Sequence, residues 1–170
     1  MRRFYHWRGH AVLALAARVY LGAIFLLACW HKLLDPGAFA LDIATYQIVP
    51  LGLVNLMAIV LPWVELAAGA LLVVGFRTRA AALLIAAMMA MFTVAIVIAL
   101  GKGLDMSCGC FASQGATEDP ISYRTILRDA GWLLLALYVL FLDRKPLGID
   151  RVWPPLPAPG PTTDTPKEKA

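Results

Sequence analysis

Residues 80–100 read AAALLIAAMMAMFTVAIVIAL. The run contains no charged residue and only one hydroxyl, Thr93. A hydrocarbon core about 30 Å thick needs about 20 predominantly apolar residues as helix. This stretch meets that requirement, so the chain crosses a membrane. Ala82, Ala86 and Ala90 recur at four-residue spacing. Small residues in that pattern let helices approach closely in lipid.

Further spans lie on either side. Leu51 to Gly75 precedes it, joined by the short connection Phe76-Arg77-Thr78-Arg79. A connection this tight makes the two helices antiparallel neighbours. Ala11 to Leu33 forms a first span and Ser122 to Leu142 a fourth. The fourth is interrupted early by Arg124, Arg128 and Asp129. Asp119-Pro120 supplies a helix start, with Asp as cap and Pro at the first helical position. Between the first two spans, Phe39, Ile43 and Tyr46 recur at helical spacing, as in a short amphipathic helix on the outer interface.

Composition agrees. The 170-residue chain is 61% hydrophobic and 15% charged, with mean hydropathy +0.73. Soluble domains are about 45–50% apolar and about 25% charged. The expected fold is all-α: an integral membrane four-helix bundle over 11–142. A basic leader precedes it over 1–10, and a disordered tail rich in Pro, Thr and charge follows over 143–170.

The net charge of +4 reports topology and gives no nucleic-acid surface. Lys and Arg accumulate on cytoplasmic flanks. With the N-terminus inside, that side holds Arg2, Arg3, Arg8, Arg77, Arg79, Arg144, Lys145, Arg151, Lys167 and Lys169. The outside holds Lys32, Lys102 and Arg124. Both termini are therefore expected in the cytoplasm of a bacterium, with the loop between the last two spans facing the periplasm. A rival reading takes the N-terminus as a signal peptide with a lipoprotein-like box at Leu26 to Cys29. Arg18 interrupting the apolar run argues against it.

That outer loop carries Cys108-Gly109-Cys110. Two thiols one residue apart suit a redox device or a metal clasp better than a packing unit, and no metal is assigned. A disulfide needs Cα atoms roughly 4.4–6.8 Å apart. Gly109 gives the backbone freedom to bend that far. The ring would be strained, and strained exposed disulfides are the labile, catalytic ones. The alternative is a pair of free thiols. Cys29, near the outer end of the first span, is a candidate relay or an apolar helix residue.

Charges inside a membrane are costly and need a reason. Arg18 and Glu65, counted from the cytoplasmic ends of their spans, differ in depth by about 4.5 Å. They are expected to pair across the first two spans. The pair is either a structural tie or, with Trp63 as an aromatic wall, a proton or quinone head-group site. Arg128 and Asp129 are adjacent, so one is expected to face the bundle and the other the head groups. With His6 and His10 in the leader, haem ligation is not expected.

These pieces together resemble the DoxX-like superfamily of four-helix membrane proteins, and within it the MauE branch named for methylamine utilisation. The resemblance covers about 11–142. It rests on Arg18-x-x-Leu21-Gly22, Lys32, Asp35-Pro36, Tyr46-x-x-x-Pro50, Leu61-Pro62-Trp63-x-Glu65, Gly69, Cys108-Gly109-Cys110-Phe111 and Arg128-Asp129. Ala112 stands where the family pattern has Gly after the loop Phe. The resemblance implies an inner-membrane bundle beside periplasmic thiol chemistry. It also implies a thioredoxin-like partner and a role in maturing an enzyme such as methylamine dehydrogenase. The resulting expectation is a thiol–disulfide oxidoreductase or electron conduit using Cys108 and Cys110. Two rivals stand beside it: a non-catalytic accessory subunit of a membrane complex, and a small-solute carrier.

Overall fold

The computed structural model describes residues 8–104, 106 and 121–143. These residues form five helices: α1 (Arg8–Leu34), α2 (Pro36–Thr45), α3 (Leu51–Val74), α4 (Thr78–Gly101) and α5 (Tyr123–Leu142). Four of them are long and apolar enough to cross a membrane: Ala11–Leu34 within α1, and all of α3, α4 and α5. The protein is an all-α, multi-pass membrane bundle. Cys108, Cys110, the Asp119-Pro120 start and the tail beyond Asp143 lie outside the described residues.

Local chemistry sets the helix ends. Asp35 caps α2 by accepting the Ala38 N–H at 2.9 Å, with Pro36 at the first helical position. Gly75 ends α3 in the left-handed conformation, φ 74°, and donates to Leu71 O at 2.9 Å. Glycine takes this geometry without steric cost. The reversal that follows makes α3 and α4 antiparallel, as the short connection predicts. The described start of α5 is Ser122, whose backbone N–H donates to the Thr125 hydroxyl at 3.3 Å. The sequence begins the fourth span at this same residue; the Asp119-Pro120 start that it also offers lies outside the described residues.

The four long helices close a ring: α1 beside α3, α3 beside α4, α4 beside α5, and α5 back to α1. The core between them contains Leu21, Phe25, Leu72, Ile85, Met89 and Ala136. The helices pack tightly where α1 crosses α3. A Cβ placed on Gly22 would sit 2.7 Å from Val73 Cγ2 and 2.9 Å from Gly69 O. Only the missing side chains permit this crossing.

On α4, Ala82 and Ala86 are buried, but Ala90 is exposed. The expected alanine stripe drifts off the interface because four residues overshoot one turn by about 40°. Ile85, Met89 and Ile96 carry the contact instead. Helix α2 forms as its periodicity predicts. Its Phe39 and Ile43 are buried against Val54 and Ala58 of α3. Tyr46 packs separately, beside Ile96, Met106 and Ile121. Outward-facing Leu27, Trp30, Leu56, Trp63, Val94 and Phe141 form the apolar mantle of a lipid-facing protein.

Candidate functional site

A buried ion pair lies near the end of the bundle where α2 is found. Lys32 Nζ donates to Glu65 Oε1 at 2.9 Å and to Oε2 at 3.0 Å. Both side chains are almost wholly buried. The Lys32 ammonium also lies 4.8 Å from the Phe39 ring centre and 5.5 Å from that of Phe92. Both distances are within cation–π range. Asp129 is fully buried and lines the same cavity as Lys32 and Glu65. Four helices thus meet at one ammonium: α1 supplies it, α3 the carboxylate, and α2 and α4 the rings, while α5 adds Asp129 and Trp132 to the cavity beside it.

Side-chain direction explains the pairing. Helical side chains lean toward the N-terminus of their own helix. Lys32, in the last turn of α1, therefore reaches back toward the bundle centre. Glu65 on antiparallel α3 leans the opposite way and meets it. Arg18 leans away from Glu65, toward the far end, where its Nη1 lies 3.8 Å from Asp143 Oδ2. The expected Arg18–Glu65 pair is therefore not formed. Trp63 is 60% exposed and faces outward from the bundle. Arg18, Trp63 and Glu65 do not share a site. Lys32, counted from sequence among the outer loop cations, is an interior residue.

The remaining candidates fall as follows. Asp129 faces the interior and Arg128 the rim, as adjacency predicts; Arg128 Nε lies 3.3 Å from Asp129 Oδ1. The Arg128 guanidinium also stacks over Trp132 at 5.1 Å. Cys29 is buried, with its Sγ 3.2 Å from Leu26 O. It lies three residues before Lys32, hence on nearly the same face of α1. Phe92 and Trp132 were not singled out in the sequence, and Phe39 only as part of the apolar face of α2. Their signal was weak, since aromatic residues on apolar helices are ordinarily core.

The connector carrying Cys108 and Cys110 emerges at this same end. Its described flanks are pinned together. Ile121 N donates to Met106 O at 3.0 Å, and both residues pack against Ile96 and Ala99. Lys102 Nζ donates to Gln47 O at 3.1 Å, tying the exit of α4 to the α2–α3 connection. Gln47 itself holds a left-handed φ of 52°.

The family described as "Methylamine utilisation protein MauE" matches residues 10–142. The "Methylamine utilization protein MauE" of Paracoccus denitrificans is 30% identical over 125 residues, covering 73% of this chain and 66% of the relative. The protein of that name from Methylophilus methylotrophus is 28% identical over 137 residues, covering 80% and 72%. The chain thus spans about two thirds of the length of the Paracoccus relative. No solved structure matches it. From residue 10 to residue 142, which takes in every helix that surrounds Lys32, the chain belongs to the MauE family.

Proposed function

We propose that this protein is a multi-pass inner-membrane component of methylamine utilisation. In this reading it exchanges thiol–disulfide equivalents with an extracytoplasmic thioredoxin-like protein and supports maturation of an enzyme such as methylamine dehydrogenase. The supporting observation is that Cys29 and the two described flanks of the Cys108–Cys110 connector, Met106 and Ile121, lie at one end of the bundle. Cys29 is in the penultimate turn of α1. Cys108 follows two residues after Met106, which is held against Ile121 at that end. The basic residues Arg77 and Arg79 lie at the opposite end, which favours an extracytoplasmic cysteine end. Both termini, with the leader and the tail, are then cytoplasmic, and 11–142 is the membrane unit.

The exchange is a thiolate displacement. A thiolate at Cys108 or Cys110 attacks one sulfur of the partner's disulfide and forms a mixed disulfide. The partner's other sulfur leaves as a thiolate. The second loop thiolate then closes the Cys108–Cys110 bond, and the partner departs as a dithiol. Two electrons move to the partner; the reverse sequence oxidises it. Cys29 is the candidate third thiol of this cycle.

Thiol trapping in intact cells tests the reading. A membrane-impermeant maleimide is applied with and without mild reduction, to wild type and to Cys29→Ser, Cys108→Ser and Cys110→Ser. Labelling of Cys108 and Cys110 only after reduction is expected, together with a trapped mixed disulfide in a single-Cys loop variant. If replacing both loop cysteines by Ser leaves growth on methylamine unchanged, the protein is an accessory subunit and the redox reading is lost.

A further inference from the structure

Two local motifs fix the described ends of the connector between α4 and α5. At the α4 exit, Gly103 takes a left-handed φ of 67°. Its N–H donates to Leu100 O at 3.0 Å, and the Leu104 N–H donates to Ala99 O at 3.1 Å. This glycine-ended reversal stops a helix and folds the following residues back over its last turn. Leu104 and Met106 accordingly join the apolar cluster of Ile96 and Ala99. At the α5 entry, Ile121 stands just before the capping residue Ser122, and Ile126 stands four residues after it. Both belong to the same cluster. Apolar residues at these two positions staple the incoming chain to the first turn of a helix.

The two ends are then joined to each other and to a third part of the chain. The Ile121 N–H donates to Met106 O at 3.0 Å, and both residues are buried. Tyr46, the residue that ends α2, packs against the cluster from the α2–α3 connection. Beside it, Lys102 Nζ donates to Gln47 O at 3.1 Å. The connector therefore leaves and re-enters the bundle through one closed neck. Cys108 follows Met106 by two residues and Cys110 follows it by four. Extended chain spans at most about 3.6 Å per residue, so their Cα atoms stay within about 7 Å and about 14 Å of that of Met106. A displaced neck carries both thiols with it.

We propose that this neck is the positioning element of the thiol exchange, with Tyr46 a positioning residue that acts through Met106 and Ile121. The proposal rests on the thiol reading above and adds to it the residues that hold the exchanging pair in place for an incoming protein disulfide. A folded partner must align its surface and its disulfide together, and that orientational demand slows docking. A small reagent reaches a thiol without it. Damage to the neck should therefore slow exchange with a protein and spare reaction with a small molecule.

The test uses the full chain in intact cells, in backgrounds that keep one loop cysteine and carry Cys29→Ser. Capture of the partner as a mixed disulfide is compared with the labelling rate of the same thiol by impermeant maleimide, both per amount of folded protein. Tyr46→Ala and Ile121→Ala open the neck from different elements. Each should cut capture about tenfold or more while maleimide labelling stays within about twofold. Amide exchange at Ile121 in purified protein should speed up in Tyr46→Ala. Ile48→Ala, at an exposed residue beside Tyr46, should match the unaltered neck in all three measurements. Unchanged capture in the two neck variants, an equal fall in capture and maleimide labelling, or an unchanged Ile121 amide overturns the proposal. Absence of capture with the neck intact is a separate outcome: it removes the thiol reading, and the proposal with it.

Discussion

Lys32 and Glu65 are each acceptable in a membrane interior only because of the other. Breaking a buried pair leaves one uncompensated charge and costs about 3–5 kcal/mol. Lys32→Met and Glu65→Gln should therefore each destabilise the bundle by about that amount in detergent unfolding. Lys32→Met/Glu65→Met should recover most of the loss, because an apolar pair of similar volume avoids desolvating two ions. Equal, additive losses in the double-mutant cycle would show that the two groups do not act on one another. The pair was half legible in the sequence. Glu65 announces itself as a charge within an apolar span. Lys32 does not, because it stands just before Asp35-Pro36 and reads as a loop cation. Depth counting gave Glu65 the wrong partner, since Arg18 and Glu65 have similar heights in their spans. The missing information was direction: on antiparallel helices, Arg18 and Glu65 lean apart while Lys32 and Glu65 lean together.

Among the elements, the α1–α3 crossing is set by two glycines. Gly22 has no room for a methyl group, and a Cβ on Gly69 would lie 3.1 Å from Gly22 O. Gly22→Ala should cost about 1–3 kcal/mol, the usual range for overpacking a tight contact. Gly131 on α5 serves as the control, since a Cβ there meets nothing within 4 Å. Gly131→Ala should be neutral or stabilising by up to about 1 kcal/mol, because alanine favours the helix. Thermal melts of the two variants in one detergent settle the contrast; a Gly131→Ala loss matching that of Gly22→Ala would refute the packing explanation. The four spans were readable to within a few residues, because long apolar runs bounded by Gly, Pro and charge carry strong signals. The face of α4 was read less well. A four-residue alanine pattern predicts small-residue packing through Ala90, yet rotation of about 80° over two steps carries Ala90 out to the exposed side.

Among the described residues of the molecule, the buried charged groups collect in two layers separated by an apolar middle. One layer is Lys32, Glu65 and Asp129 at the α2 end; the other is Arg18 with Asp143 at the end where α3 turns into α4. Between them lie Leu21, Phe25, Leu72, Ile85 and Met89. From Arg18 to Lys32, α1 rises about 21 Å. Such a seal does not suit the carrier reading, which needs a polar path through the middle. It does suit chemistry confined to one side, and this makes orientation the decisive global property. The charge bias puts the Arg77 turn in the cytoplasm, with the α2–α3 connection outside. Phe76 lies exposed at that turn and Gln47 on the α2–α3 connection. In a Cys29→Ser, Cys108→Ser, Cys110→Ser background, Gln47→Cys should react with impermeant maleimide in intact cells. Phe76→Cys should react only after the membrane is opened. The reverse pattern would turn the bundle over and put Cys108 and Cys110 in a reducing compartment. There a disulfide would not persist, and a thioredoxin-like partner would have to be cytoplasmic.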